Sequence, residues 1–391
     1  MLRSMYSGIS GIRNFQTKLD VIGNNIANVN TAGFKKGRVT FKDAFSQMIS
    51  GASSATGERG GQNPRQVGLG SVISTIDTIH TGASLQSTGR SLDVAIDGDG
   101  YFIVRQGSNF FYTRAGNFYL DHNGTLVNAD GLRVQAYDNG ALNDITVNVN
   151  AVMPAVQTDE IVISGNFSSN ATGVNRLTDQ IEIVCEDGQA QIIDVEYYFD
   201  GTNWSIRFYN RNIDTQNYVE QPIDFDNLGR VENFVIPVVI DGNVTDHEVT
   251  LIFENVTHEP GSITAMAVPN GNTSGSIESY SIGSSGEIYA VYSNGQIQEM
   301  GQLAVARFSN PSGLVKIGSN LFQESANSGT ANINVPGAGR GMIASGSLEM
   351  SNVDLSEEFT EMIVAQRGFQ ANTRIITTSD EILQELVNLK R

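Results

Sequence analysis

The chain has 391 residues, 40% of them hydrophobic, with 41 glycines and eight prolines, which suits two or three folded domains and excludes a disordered polymer. A net charge of −18 argues against a general nucleic-acid-binding surface, and a lone cysteine, Cys185, excludes an intramolecular disulfide or a multi-cysteine metal site. No apolar run reaches the roughly 18 residues of a membrane span, so no membrane insertion is expected, and MLRSMYSGIS lacks the apolar core of a secretory signal. By these rules alone the protein is cytosolic.

The charge is uneven. Residues 1–42 carry seven Lys or Arg against Asp20, whereas 43–354 carry a net −22 and 355–391 a net −2. In the basic arm, Leu2, Met5, Ile9, Ile12, Phe15, Leu19, Ile22, Ile26 and Val29 recur at steps of three and four, with one phase slip near Phe15. That spacing predicts a helix from Leu2 to Val29 with a coiled-coil seam. Gly8, Gly11 and Gly23 weaken it.

Asn24, Asn25, Asn28 and Asn30 then crowd into seven residues. The short amide of asparagine competes for backbone groups and tolerates the left-handed conformation that ends helices. Asn24 and Asn28 are four apart and share a face. They are predicted to bind a neighbouring chain or the returning arm, where a polar residue fixes register at some cost in stability. GASSATGERGGQNPRQV, residues 51–67, is Gly/Ser-rich and is expected to be a linker or arm.

Most of the middle alternates apolar and polar residues between D-G and N-G turns, as in DVAIDGDGYFIVRQ and EIYAVYSNGQIQEMGQLAVARF. Residues 146–280 keep the strand pattern without the denser repeated grammar of their flanks, and are expected to be an inserted domain. Within them, IEIVCE places Cys185 on a face with Ile181 and Ile183, which predicts a core-facing structural thiol. DHNGTLVNADG, from Asp121, begins like a calcium loop but offers Thr125 and Leu126 where a ligand and glycine belong, so a hairpin turn is expected. DGDG at Asp97 and GAGRG at Gly337 are expected to be turn and loop.

From Leu355 the seam resumes at Phe359, Met362, Gln366, Phe369, Thr373, Ile376, Asp380, Leu383 and Val387, and Asp354 with Glu357 forms a capping box at its start. The fold class expected is therefore a mainly β multidomain body with long N- and C-terminal α-helices forming a coiled-coil layer. With no partner in a free monomer, these seams predict helices that are largely disordered until assembly.

Chemistry is absent from the pattern. His80, His122, His247 and His258 lack ligand spacing, and no H-E-x-x-H, G-x-S-x-G or Walker sequence occurs. No enzyme, metal or cofactor is expected. Two amphipathic helices could simply dock on the β core, but a sustained heptad on each suits bundling with copies of the chain. The expected interface comprises Leu2, Met5, Ile9, Ile12, Leu19, Ile22, Asn24, Asn25, Ile26, Asn28, Phe359, Met362, Gln366, Phe369, Ile376 and Leu383.

NNIANVNTAGF after an N-terminal heptad resembles the signature of the flagellar rod–hook axial proteins, and SGSLEMSNVDLSEEFTEMIVAQRGFQANTRIITTSDEILQ resembles their C-terminal signature. LQSTGRSLDVAIDGDGYFIV, YTRAGNFYLDHNGTLVNADGLRVQAY and QLAVARFSNPSGLVKIGSNLFQESANSG are similar to their first body domain. The resemblance spans roughly residues 1–140 and 280–391. Within the family, LSEEFTEMIVAQRGFQAN and the large insertion resemble the hook members more than the distal rod members. Ala32, where rod members tend to carry proline, points the same way.

The resemblance implies a structural homopolymer, a curved hollow tube serving as a flexible joint. Residues 1–29 and 355–391 would form its inner layer, 30–70 a linking arm, 71–145 with 281–354 the first β domain, and 146–280 an outer domain. It implies the distal rod protein, the hook cap protein, the hook–filament junction protein and the flagellar export apparatus as partners. It also implies an extracellular place in the flagellum, reached without a cleaved signal, in place of the cytosolic one. Some hook proteins carry a cysteine–lysine crosslink between subunits. This chain has no lysine between Lys42 and Lys316, and with a core-facing Cys185 no crosslink is expected. A distal rod protein, an extracellular β-rich adhesin and a secreted polysaccharide hydrolase are the alternatives.

Overall fold

A computed structural model describes residues 2–54, 60–138, 140–147, 151–209, 218–225, 231–240 and 243–389. The chain divides into two compact units, one of Met1–Asn148, Tyr280–Tyr289 and Glu299–Arg391, the other of Val149–Ser279 and Ala290–Gln298. The architecture is mainly β, with a long helix at each end.

In the first unit, α1 (Leu2–Ala27) and α2 (Leu355–Asn388) pack against each other. The apolar seams thus have a partner within one chain. α1 stops two residues short of Val29. Its end is closed by Asn28, whose backbone N–H and side-chain amide both donate to the Asn24 carbonyl, at 3.2 and 2.9 Å. None of the four asparagines is left-handed; that conformation falls on Gly33, at φ +69°. At the start of α2 the Asp354 carboxylate accepts the N–H groups of Ser356 and Glu357, at 2.8 and 3.4 Å. Only half of the expected capping box forms, because Glu357 pairs instead with the Lys36 ammonium at 2.6 Å.

The segment after α1 is a long β-hairpin rather than an irregular linker. β1 (Gly37–Asp43) pairs antiparallel with β4 (Ser71–Thr78), and β2 (Ser46–Ser50) pairs with β3 (Arg65–Gly68). A bridge between Ser53 and Gln62 extends the pairing into the Gly/Ser-rich stretch. β-Branched residues at Val39, Thr40, Val72, Ile73, Thr75 and Ile76 favour this extended form. The β1–β4 part lies on α1: the Phe41 ring is 6.2 Å from that of Phe15, and the Asn14 amide donates to the Ser71 hydroxyl at 2.8 Å.

Chain on either side of the insertion knits the β body of this unit. Tyr101–Gln106 pairs with Asn109–Thr113, with Arg133–Asp138 and with Val305–Arg307. Val94–Asp97 pairs with Met342–Ser345, and Leu85–Ser87 with Ser347–Glu349. Phe102, Val104, Phe118, Leu126, Leu303 and Val305 share its core. The Asp121 stretch is the expected turn, its carboxylate accepting the Asn123 and Thr125 N–H groups between two paired strands.

In the second unit a four-stranded antiparallel meander runs from Asn175 to Ile223, beside a sheet in which Glu160–Asn166 pairs parallel with Asn243–Thr257. Ile163, Phe167, Tyr197, Trp204, Ile206 and Leu251 fill one core between them. Cys185 is not core-facing. The strand ends at Val184, and Cys185 opens the turn to the next strand, half-buried, with its carbonyl accepting the Gly188 N–H at 2.9 Å. The alternation that put it beside Ile183 stops one residue earlier, since Ile183 and Val184 are both buried. With Cys185 half-buried, the lysine-free stretch from 43 to 315 is the ground for expecting no crosslink.

Candidate assembly site

The helix pair is built on small residues. A Cβ on Gly11 would lie 2.7 Å from the Asn372 side chain, and one on Gly368 would lie 2.5 Å from the Phe15 ring. Gly8 faces Ile376 and the backbone of Asn372. Two of the three glycines expected to weaken α1 thus bring the helices close, and Gly23 alone stands open. Lys18 pairs with Glu361 across the contact.

On α2 the residues turned inward are Glu358, Met362, Ala365, Phe369, Asn372, Ile376, Ser379 and Leu383, all buried or half-buried at steps of four and three. Met362, Phe369, Ile376 and Leu383 belong to the expected seam. Phe359 and Gln366 do not face the pair; Phe359 is 50% exposed. The seam is rotated by one residue at every second position, because small or polar Ala365, Asn372 and Ser379 let α1 approach more closely than bulky side chains would. On α1, Ile22 is buried, Met5, Ile12, Leu19 and Ile26 are half-buried, and Ile9 is exposed. The Leu2 side chain lies outside the described residues.

The asparagines divide their labour differently from the expectation. Asn24 is exposed and bonds half-buried Asn28, so this pair closes the helix end. Asn25, 2% exposed, grips the returning chain: its amide donates to the Gly37 carbonyl and accepts the Gly37 N–H, both at 2.9 Å, and also donates to Glu358 at 3.2 Å. The contact with the returning arm expected of Asn24 and Asn28 is made by Asn25.

Immediately beyond, AGFKK is plugged into the β body. Gly33 packs on the backbone of Arg114 and Ala115, where a Cβ would lie 2.5 Å from the Ala115 nitrogen, and its N–H donates to the Glu349 carbonyl. The Lys35 ammonium, fully buried, donates to the Thr81 carbonyl at 2.8 Å and to Glu349 Oε1 at 2.7 Å. Arg114 reaches Glu349 Oε2 at 3.2 Å and donates to the Ile96 and Gly98 carbonyls. Burial pushes Lys35 below the ordinary lysine range, against the opposing pull of Glu349. Asn352 holds the next residue, accepting the Lys36 N–H at 2.7 Å and donating to the Ile79 carbonyl. Nearby, His80 bonds the Tyr101 hydroxyl at 2.8 Å, and burial, with Lys35, Arg114 and Lys316 close by, lowers it to about 4.

The sequence profiles of three protein families meet these elements. Residues 5–35 match the flagella basal body rod protein, residues 95–168 the flagellar hook protein FlgE/F/G D1 domain, and residues 344–389 the flagellar basal body rod FlgEFG protein C-terminal region. The flagellar hook protein FlgE of Borreliella burgdorferi is 39% identical over the whole of both chains. That of Escherichia coli is 33% identical over 98% of each. The chain belongs to the flagellar hook and basal-body rod family.

This is a family of structural flagellar proteins. A further relative, the flagellar basal-body rod protein FlgG of Bacillus subtilis, is 43% identical over all of both chains in 393 aligned positions. A rod-named relative thus matches the insertion in length, and the insertion does not separate hook from rod members. The crystal structure of Helicobacter pylori flagellar hook protein FlgE2 shares the fold, with a TM-score of 0.52 at 14% identity, over 68% of this chain and all of that one.

The family profiles cover α1 with its plug, and α2 with the strand carrying Glu349. Apolar periodicity missed Lys35, Arg114, Glu349 and Asn352 because it scores hydrophobicity, and a buried charge cluster reads as surface. A lysine between Phe34 and a second lysine offered no signal of burial. Among the described residues no helix is long and apolar enough to cross a membrane.

Proposed function

We propose that this chain is the structural subunit of the flagellar hook, polymerising into a curved hollow tube that passes torque from the rod to the filament. Full-length likeness to several proteins named flagellar hook protein carries the reading. The surface of α2 supports it. Val364, Ala371, Ile375, Ile382 and Leu389 are exposed at steps of seven and four, a second heptad stripe bordering the one that faces α1, with Ile375 beside Gly8 at its edge. A helix apolar on two sides fits a layer in which α1 and α2 of each copy pack on helices of other copies, the coiled-coil inner layer. Ile12, Leu19, Ile22, Met362, Phe369, Ile376 and Leu383 would then act one step back, holding the pair whose outer face assembles.

The proposed partners are other copies of this chain, with the distal rod protein, cap protein and hook–filament junction protein at the tube ends. Passage through the flagellar export apparatus would place it outside the cell. The second reading, a distal rod protein, is favoured by the likeness to the B. subtilis relative. Electron microscopy of polymer from the purified chain, with immunogold labelling of intact flagella, separates the two. Curved tubes and label between the envelope and the filament are expected. Straight polymer with label confined to the basal body would establish the rod reading.

A further inference from the structure

The second unit carries a pattern that neither its strands nor its turns require. Six of its fifteen asparagines, Asn166, Asn170, Asn203, Asn243, Asn255 and Asn272, are followed two residues on by Ser or Thr with no proline between. In the first unit only one of twenty-one is, Asn123, although Ser and Thr are no scarcer there, so composition does not produce the difference. An asparagine serves a turn by itself, and a hydroxyl at that spacing adds nothing to the turn. Asn-x-Ser/Thr is the acceptor sequence for attaching a sugar to the side-chain amide. The structure sorts the six. The Asn166 amide already donates to the Glu259 and Ser262 carbonyls, and that of Asn272 to the Pro154 and Thr273 carbonyls. Following Asn203, the Ser205 hydroxyl is buried and donates to Glu220 at 2.9 Å, and following Asn255, that of Thr257 donates to Asn166 at 3.0 Å. The Asn243 side chain lies outside the described residues. Asn170 and Thr172 remain, both exposed in the loop before the strand Asn175–Val184.

We propose that Asn170 is an N-glycosylation site, taking a hexose from a nucleotide-activated sugar through a separate glycosyltransferase. In the transfer Nδ2 bonds the anomeric carbon, and the bond from that carbon to the diphosphate oxygen breaks. The nucleoside diphosphate leaves, and one amide proton passes to a base of the transferase. The local geometry presents the acceptor. Asn170 Oδ1 accepts the Ser168 hydroxyl at 2.7 Å and the Gly261 N–H at 3.3 Å, which fixes the amide plane. Among the described residues its Nδ2 and the Thr172 hydroxyl have no hydrogen-bond partner. Small neighbours clear the approach, with Ala171 on one side of Thr172 and Gly173 on the other, where even a Cβ would meet nothing within 4 Å. An added sugar would stay in water and displace no core side chain, because Asn170, Thr172 and Val174 are all exposed. The inference stands for a hook and a rod subunit alike.

The test takes flagella from the cells that make this chain, digests the full-length protein and reads the peptide holding Asn170 by fragmentation mass spectrometry. A hexose-sized increment on Asn170 is expected. Asn170→Gln should abolish it. Thr172→Val should abolish it too, with the acceptor amide still in place, whereas Thr172→Ser should retain it. Thermal melting of the Thr172→Val chain should match the parent, since Thr172 is exposed. An unmodified peptide from parent flagella would overturn the proposal, as would an increment carried by Thr172 itself or one that survives Thr172→Val.

Discussion

Gly23 and Gly368 sit in helices that touch, yet alanine should act in opposite directions at the two. Nothing lies within 4 Å of where a Gly23 side chain would project. Gly23→Ala should therefore stabilise the first unit by about 0.5–1 kcal/mol, through lower backbone entropy in the unfolded chain. At Gly368 the added methyl would strike the Phe15 ring, and the forced separation of the helices should cost about 1–3 kcal/mol. Thermal unfolding followed by circular dichroism reads both, and a destabilised Gly23→Ala would contradict the open space around it. His80 offers a second residue-scale measurement. Its folded value of about 4 lies below the ordinary 6.5, so the unfolded chain binds the proton first. Its stabilising contribution is complete above about 6.5 and declines as pH falls toward 4. His80→Asn keeps an acceptor for Tyr101 and does not titrate. Its stability should fall less steeply between pH 6.5 and 4 than that of the parent, and equal slopes would dismiss His80 as a contributor.

At the scale of elements, α1 and α2 cover each other, whereas every residue of β2 and β3 is exposed. Limited proteolysis of dilute monomer with an unspecific protease should cut first among the exposed residues 51–54 and 60–64, releasing no helix because β1 stays paired with β4. First cuts within α1 or α2 would show that the pair opens in solution. The seams show what periodicity at the scale of an element can and cannot determine. Steps of three and four identified both helices and one set of α2 contacts, at Met362, Phe369, Ile376 and Leu383. Phe359 and Gln366 share the apolar period but point away from α1, because Ala365 and Ser379, with little apolar surface, occupy the contact in their place. Which stripe of a helix faces a neighbour depends on how closely the partner can approach, and Gly8 and Gly11 decide that from the other side of the contact.

Across the whole molecule the charge is concentrated in one unit. Residues 149–279 hold twenty Asp or Glu against four Arg, whereas 290–298 hold no charged residue. In a tube, many copies of this polyanion are held near one another, and repulsion between them is screened over about 10 Å at 0.1 M salt. Raising sodium chloride from 20 to about 200 mM should lower the concentration required for polymerisation. Neutralising eight exposed carboxylates of this unit to Asn or Gln should remove most of the salt effect. Sedimentation of polymer across a salt series measures it, and a parent chain indifferent to salt would mean that these units lie too far apart to interact.

Local patterns in the chain determined what local physics controls. Heptad spacing decided that each end is helical, turn dipeptides and alternation decided that the middle is β, and Asp354 marked where α2 begins. The resemblance of NNIANVNTAGF and its C-terminal counterpart settled the family. Tertiary structure alone decided what depends on segments hundreds of residues apart. It set Lys35 against Glu349 and Arg114, gave Asn25 rather than Asn24 the returning backbone, turned half the α2 seam outward, and put Cys185 in a turn. A buried ion cluster is composed of residues that look solvated one at a time. Their desolvation is offset only when the partners arrive together, and no window of local sequence contains all of them.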